Sequence, residues 1–206
     1  SLCATGNFQD AEWRPGDTTV VHVVTTSGYY RSNNGGLTYT GYAITGNLSC
    51  NRLSLAVTPA NNSCAYILVS APNNGFGGLY RSTDIGSTWS LRSNAPNIFD
   101  WSTTGSGSGG QGWYDIAIDA SPTNSNEIVA GGVNTWKSTN GGTNWTLNTH
   151  WTGGGGKPYV HADCHHVLYV NGTTVYLGTD GGVARTTNSG TSYSALNGNM
   201  NIAQIY

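Results

Sequence analysis

One eight-residue pattern occurs four times in this chain, and a repeat of that kind limits the fold more than any other feature of the sequence. Ser82-Thr83-Asp84-Ile85-Gly86-Ser87-Thr88-Trp89 reads S-x-D-x-G-x-x-W. Ser32, Asn34, Gly36 and Tyr39 fill the same slots, as do Ser138, Asn140, Gly142 and Trp145, and then Thr186, Asn188, Gly190 and Tyr193. Successive copies start 50, 56 and 48 residues apart, and a basic residue (Arg31, Arg81, Lys137 or Arg185) stands directly before each.

The surroundings repeat with the box. Upstream of each basic residue lies a short run rich in β-branched residues: Val20 to Thr25, Ala65 to Ser70, Glu127 to Ala130 and Thr174 to Gly178. Earlier still comes a second strand-like run, seen as Phe8 to Arg14, Leu53 to Thr58, Trp113 to Asp119 and Val167 to Val170. With the segment after the box, each unit reads as four short strands in about 50 residues, the size of a propeller blade. The expected fold is therefore an all-β propeller with four antiparallel blades, near residues 1–45, 46–95, 110–150 and 160–200. Residues 201–206 read as the opening strand of a further blade, so a parent of six or more blades is expected. In the box, Asp or Asn hydrogen-bonds the turn it opens, Gly supplies a positive φ, and the final aromatic packs into the blade stack. Its role is structural.

Composition excludes other classes. Charged residues make up 9% of the 206, against roughly 25% in an average domain, and 30 residues are glycine, so a helical bundle is ruled out. A net charge of -2 gives no footprint for a phosphate backbone, so nucleic acid is not an expected partner. No apolar run reaches the 18 residues that a membrane helix needs. Low charge with abundant Gly, Ser, Thr and Asn points to a secreted or cell-surface protein. The four cysteines, Cys3, Cys50, Cys64 and Cys164, permit disulfides in three connectivities. Cys50 and Cys64 should not pair, because they fall at opposite ends of one hairpin, roughly 20 Å apart at about 3.3 Å per residue.

The boxes resemble the Asp-box, or BNR, repeats of sialidases, sortilin-type receptors and xyloglucanase-type glycoside hydrolases. Gly112-Trp113-Tyr114-Asp115-Ile116-Ala117-Ile118-Asp119, His161 to His165, Gly178-Thr179-Asp180-Gly181-Gly182 and Asn201 to Tyr206 are similar to large secreted bacterial BNR proteins. Many proteins of that group carry a sorting domain for type IX secretion. The resemblance implies a recognition or structural module that binds a polysaccharide or a cell-surface protein. A fragment of a glycoside hydrolase is the alternative. Sialidase chemistry is not expected: it needs three arginines, but Arg31, Arg81 and Arg185 belong to boxes, and only Arg52 is well placed. In the hydrolase reading, Asp180 resembles one catalytic position, with Asp115, Asp163 or Asp10 as its partner carboxylate.

Antiparallel order puts the boxes on one face of the propeller and the long inter-blade connections on the other. On that loop face His161, Asp163 and His165 alternate, which on an extended strand places them on one side, with Asp180 approaching from the next hairpin. These four are the ligand-site candidates, and His161, Asp163 and His165 also the metal candidates. Three readings stay open: groups lining a solvated channel, a ligand or metal site, or a catalytic centre. No catalytic residue and no cofactor is assigned. His166, pointing the other way, is expected to pack in the core. Trp101, Trp151 and Tyr159, beside glycine-rich loops, are expected to stack on sugar rings or meet a partner.

Overall fold

The computed structural model describes residues 7–45 and 49–198. Among these described residues sixteen strands form four four-stranded antiparallel sheets, each built from strands consecutive in sequence. The first blade contains β1 (Phe8–Trp13), β2 (Val21–Thr25), β3 (Gly28–Ser32) and β4 (Thr40–Tyr42). The second contains β5 (Arg52–Val57), β6 (Ala65–Ser70), β7 (Phe76–Ser82) and β8 (Ser90–Ser93). The third contains β9 (Ala117–Ala120), β10 (Ile128–Gly131), β11 (Thr135–Ser138) and β12 (Thr146–Thr149). The fourth contains β13 (Cys164–Tyr169), β14 (Val175–Thr179), β15 (Gly182–Thr186) and β16 (Ser194–Ala195). The first strands β1, β5, β9 and β13 lie side by side in chain order, so the sheets stack as the blades of a propeller.

Packing explains the sequence pattern. Second strands such as β2 and β6 are buried at every position, because each is an interior strand of its sheet and packs on a neighbouring sheet. The core is divided among the blade interfaces. Val24 and Tyr29 meet Leu53, Leu55, Ile67 and Trp89 between the first and second blades. Tyr66, Leu68 and Leu79 meet Ile116, Ile118, Ile128 and Trp145 between the second and third, with Ile98 and Phe99 plugged in from the long connection. Ala117 and Val129 meet Cys164, Val167, Leu177 and Ala184 between the third and fourth. Near the axis, Asp10 accepts from the Leu55 amide and Ser54, and Asp119 accepts from the Tyr169 amide. These carboxylates tie neighbouring inner strands together.

All four boxes make the same bonds. The hydroxyl of Ser32, Ser82, Ser138 or Thr186 accepts from the amide of Gly36, Gly86, Gly142 or Gly190, at 2.8 to 3.0 Å. The Asp or Asn two residues on accepts from the amide of Thr38, Thr88, Asn144 or Ser192. Gly86 shows why no side chain fits there: φ is +77°, and a Cβ would lie 2.0 Å from the Tyr29 hydroxyl of the preceding blade. Trp89 and Trp145 are buried, whereas Tyr39 and Tyr193 are half-buried.

Three sequence expectations need correction here. The inner strand of the third blade begins at Ala117 rather than Trp113, because residues 111–115 form a turn in which the Tyr114 and Asp115 amides both donate to the Gln111 carbonyl. The inner strand of the fourth begins at Cys164 rather than Val167, and its register shifts between Cys164 and His166. That bulge leaves His165 and His166 both exposed, so His166 is not a core residue. Cys50, Cys64 and Cys164 carry free thiols, and Cys3 and residues 201–206 lie outside the described residues.

Candidate functional site

The alternation of His161, Asp163 and His165 on one strand face does not exist. His161 and Asp163 precede β13, and Asp163 is in the left-handed region at φ +63°. The peptide turns at Asp163, so the three side chains do not line up on one strand face. His161 lies over Gly181, where a Cβ would meet its ring at 2.3 Å. Asp163 accepts from Gln111 at 3.4 Å. His165 reaches Asp180, Nε2 to Oδ1 at 2.7 Å, so Nε2 carries the proton that the carboxylate accepts. Among the described residues no group of three or more His, Cys, Asp or Glu is arranged to hold a metal ion.

What the fold assembles is an acidic cluster seated on the 111–115 turn. Arg52, at the start of β5, donates to the carbonyls of Trp113 and Tyr114 and pins this turn to the second blade. The expected free arginine is therefore committed to backbone. Gly112 must be glycine because a Cβ would lie 2.4 Å from Ser70 Oγ. The pinned turn presents Tyr114, whose hydroxyl donates to Asp180 Oδ2 at 3.1 Å and whose ring meets the His165 ring edge-on at 4.8 Å. Asp180 thus takes a bond on each oxygen.

Asp115 is fully buried, and neither of its oxygens has a donor from the usual N–H and O–H groups around it. Burial pushes its pKa up to about 8, and the neighbouring Asp163 and Asp180 charges add to the effect. Near neutral pH the carboxyl keeps its proton. Carboxyl groups whose surroundings differ this much are what acid–base chemistry uses. Residue spacing offered Asp115 only as a partner to Asp180 and did not single out Tyr114 or Gln111 as site residues. The Gly112 that precedes them was the local sign of a turn.

Behind the cluster, toward the axis, is a cavity of about 370 Å³ whose lining includes Asp10, Glu12, Arg52, Asp119, His165 and His166. Burial, then the charges of Asp10 and Asp119, pushes Glu12 up to about 7. Asp119 is pushed up to about 6 by burial, against the lowering bonds from the Tyr169 and Ala120 amides.

Aromatic side chains stand around the same end of the molecule. Trp101 and Trp113 come from the second inter-blade connection, Trp151 and Tyr159 from the third, and they are 57%, 58%, 42% and 62% exposed. Their backbones are held firmly. Buried Asn134 donates to the Trp101 carbonyl at 3.1 Å and accepts from the Trp151 amide at 3.1 Å, and His150 Nε2 lies 3.2 Å from the same Trp101 carbonyl. The connection carrying Trp101 is braced by Asn97, which bonds the Gly107 and Gly109 carbonyls, and by Asp100, which accepts from Gly107.

Similarity to known proteins lies in the fold. No family model matches the chain, and no curated protein does. Among solved structures, an ancestral GH74 enzyme superposes with a TM-score of 0.63 at 23% identity, over 97% of this chain and 25% of that one. The GH74 xyloglucanase from Xanthomonas campestris gives 0.69 at 16% identity, over 97% and 32%. YCF48 from Cyanidioschyzon merolae gives 0.59 at 16% identity, over 94% and 57%. The chain therefore spans a quarter to about half the length of these structures, and what it shares with them is the β-propeller fold.

Proposed function

We propose that this chain is part of a secreted or cell-surface propeller of the BNR, or Asp-box, kind whose loop face recognises carbohydrate. The observation that carries the reading is the set of exposed aromatics, Trp101, Trp113, Trp151 and Tyr159, on the end that holds Asp180 and His165. Flat apolar rings next to hydrogen-bonding groups suit a pyranose, which offers C–H faces and equatorial hydroxyls. Because Asn134 fixes the Trp101 and Trp151 backbones, little ordering entropy is lost on binding. A peptide partner is the competing occupant; one neighbour is described as YCF48 bound to D1 peptide. Affinity electrophoresis against a panel that includes xyloglucan, with Trp101→Ala and Trp151→Ala, tests the reading. Retention by a polysaccharide that falls about tenfold in either variant, near 1.4 kcal/mol, supports it. No retention across the panel rejects it.

Hydrolysis is the second reading, favoured by the protonated Asp115 beside Asp163 and Asp180 and by the GH74 neighbours. In that role Asp180, which reaches the surface, acts on the glycosidic centre, and Asp115 lies buried behind it. Release of reducing ends by the longest natural form of the chain, abolished by Asp180→Asn with retention intact, distinguishes it from binding alone.

A further inference from the structure

The three blade interfaces differ at one position. The third residue past the final aromatic of a box is Tyr42, Arg92 and Asn148 in the first, second and third blades. In the first, the Tyr42 ring supports the Arg31 guanidinium, with Cζ 4.5 Å from the ring centroid, and Arg31 donates to the Ile85 carbonyl and to Ser87 of the following box. In the second, Arg92 itself spans the interface, donating to the carbonyls of Gly141 and Asn140 and to the Thr143 hydroxyl. Asn148 is too short for that reach, and its amide turns inward to Thr135 and Tyr193. Arginine occupies the first two interfaces, whereas at the third a groove of about 650 Å³, the size of a small-molecule site, stays open beside Lys137.

The lining of this groove is rich in donors. It is formed by β12, by residues of the third and fourth boxes, and by residues 156–158 of the inter-blade connection, and no acidic side chain is among the described residues that line it. Lys137 is offset by Glu127, 2.5 Å away, and also donates to the Ser189 carbonyl. Lys157 has no such partner. Its ammonium makes no ion pair or hydrogen bond among the described residues, although its backbone is held: its amide donates to the Gly154 carbonyl, and the Pro158 carbonyl accepts from the His150 amide. The third box adds two side-chain amides. In the other boxes the seventh residue is Thr38, Thr88 or Ser192, whose hydroxyl pairs with the box Asn or Asp. Here it is Asn144, so Asn140 Nδ2 and the Asn144 side chain have no hydrogen-bond partner among the described residues.

We propose that this groove binds an acidic saccharide, with Lys157 pairing a carboxylate or sulfate group and the Asn140 and Asn144 amides bonding the ring hydroxyls. An uncompensated ammonium in a groove without carboxylates selects an anion. Side-chain amides, which both donate and accept, match adjacent hydroxyls. Leu147 and Pro158 are the only apolar side chains in the lining besides glycine backbone, and no aromatic ring is there, so little could anchor the side chains of a peptide. None of the four aromatics of the loop face lines the groove, so this site stands or falls independently of that one.

The test is affinity electrophoresis of the 206-residue chain in gels containing polygalacturonate, dextran sulfate, neutral dextran or polyglutamate, with the melting temperature as a control for folding. A net charge of -2 opposes indiscriminate attraction to a polyanion, so retardation reports a site. The expected result is retardation by polygalacturonate or dextran sulfate, which tells carboxylate from sulfate, and none by neutral dextran. Lys157→Gln should weaken it about tenfold, and Asn144→Thr, which restores the hydroxyl of the other boxes, about threefold, both at an unchanged melting temperature. Trp101→Ala should leave it unchanged. No retardation by either acidic polysaccharide, or retardation that survives Lys157→Gln, overturns the proposal. Equal retardation by polyglutamate overturns it in favour of an acidic peptide.

Discussion

Replacing Asp115 with asparagine should stabilise the protein at neutral pH and barely affect it in acid. The carboxyl sits at about 8 in the folded chain against 3.8 unfolded. Below 3.8 both states hold the proton, and folding carries no penalty. As pH rises, the unfolded chain ionises while the folded chain does not, so stability falls by about 1.4 kcal/mol per unit until the folded carboxyl also ionises. At pH 7 the accumulated cost is about 4 kcal/mol, and at pH 4 it is under about 1 kcal/mol. Asparagine keeps the shape, donates to Asp163 and cannot ionise, so Asp115→Asn removes the pH-dependent part alone. Urea unfolding, followed by the fluorescence of buried Trp89, Trp136 and Trp145, should give a gain of about 3 kcal/mol or more at pH 7 relative to pH 4. An identical effect at the two pH values, or a loss at pH 7, would refute the claim that this carboxyl is buried with its proton.

Gly86→Val should cost at least about 2 kcal/mol, through a left-handed φ and a clash with Tyr29, and should lower the melting temperature without altering which polysaccharide is retained. Asp84→Ala should cost about 1–3 kcal/mol by freeing the Ser82 and Thr88 donors, whereas Asp84→Asn should cost under about 1 kcal/mol because three boxes already use asparagine; equal losses in the two variants count against the turn-closing role. His22, buried beside Arg31, is pushed down to about 4, so the unfolded chain takes up its proton first and stability is lost as pH falls from 6.5 through 4, by up to about 3 kcal/mol; His22→Gln should flatten that acid limb in a pH series of unfolding curves. Arg52→Met should free the 113–115 turn and weaken polysaccharide retention more than it lowers the melting temperature, and unchanged retention would show that the clamp does not position the loop face.

The blades were legible because their information is local. Ser82, Asp84, Gly86 and Trp89 specify a turn within eight residues, and runs such as Ala65 to Ser70 are almost wholly apolar because both sides are covered. The candidate site was harder to read because its decisive contacts are between distant segments. Arg52 bends residues 111–115 away from the strand their alternation suggests, across more than 60 positions. A single positive φ at Asp163 and one bulge at His165 then undo the period-two argument for His161, Asp163 and His165. Burial of Asp115 depends on the packing of two blades. No spacing rule contains it.

The bulge at His165 joins two regions of the molecule. It turns one histidine to the rim, against Asp180, and leaves its neighbour His166 beside Asp119, with both rings on the wall of the axial cavity. At about 370 Å³ that cavity has room for roughly ten water molecules, at about 30 Å³ each. A ligand seated on the aromatic rim would close the outer approach to His165 and Asp180. The inner side of His165 would still border the cavity that holds Glu12, near 7, and Asp119, near 6. One bulge therefore couples the two sides of this strand, because any shift of His165 on the rim moves the backbone that holds His166 in the axial cavity.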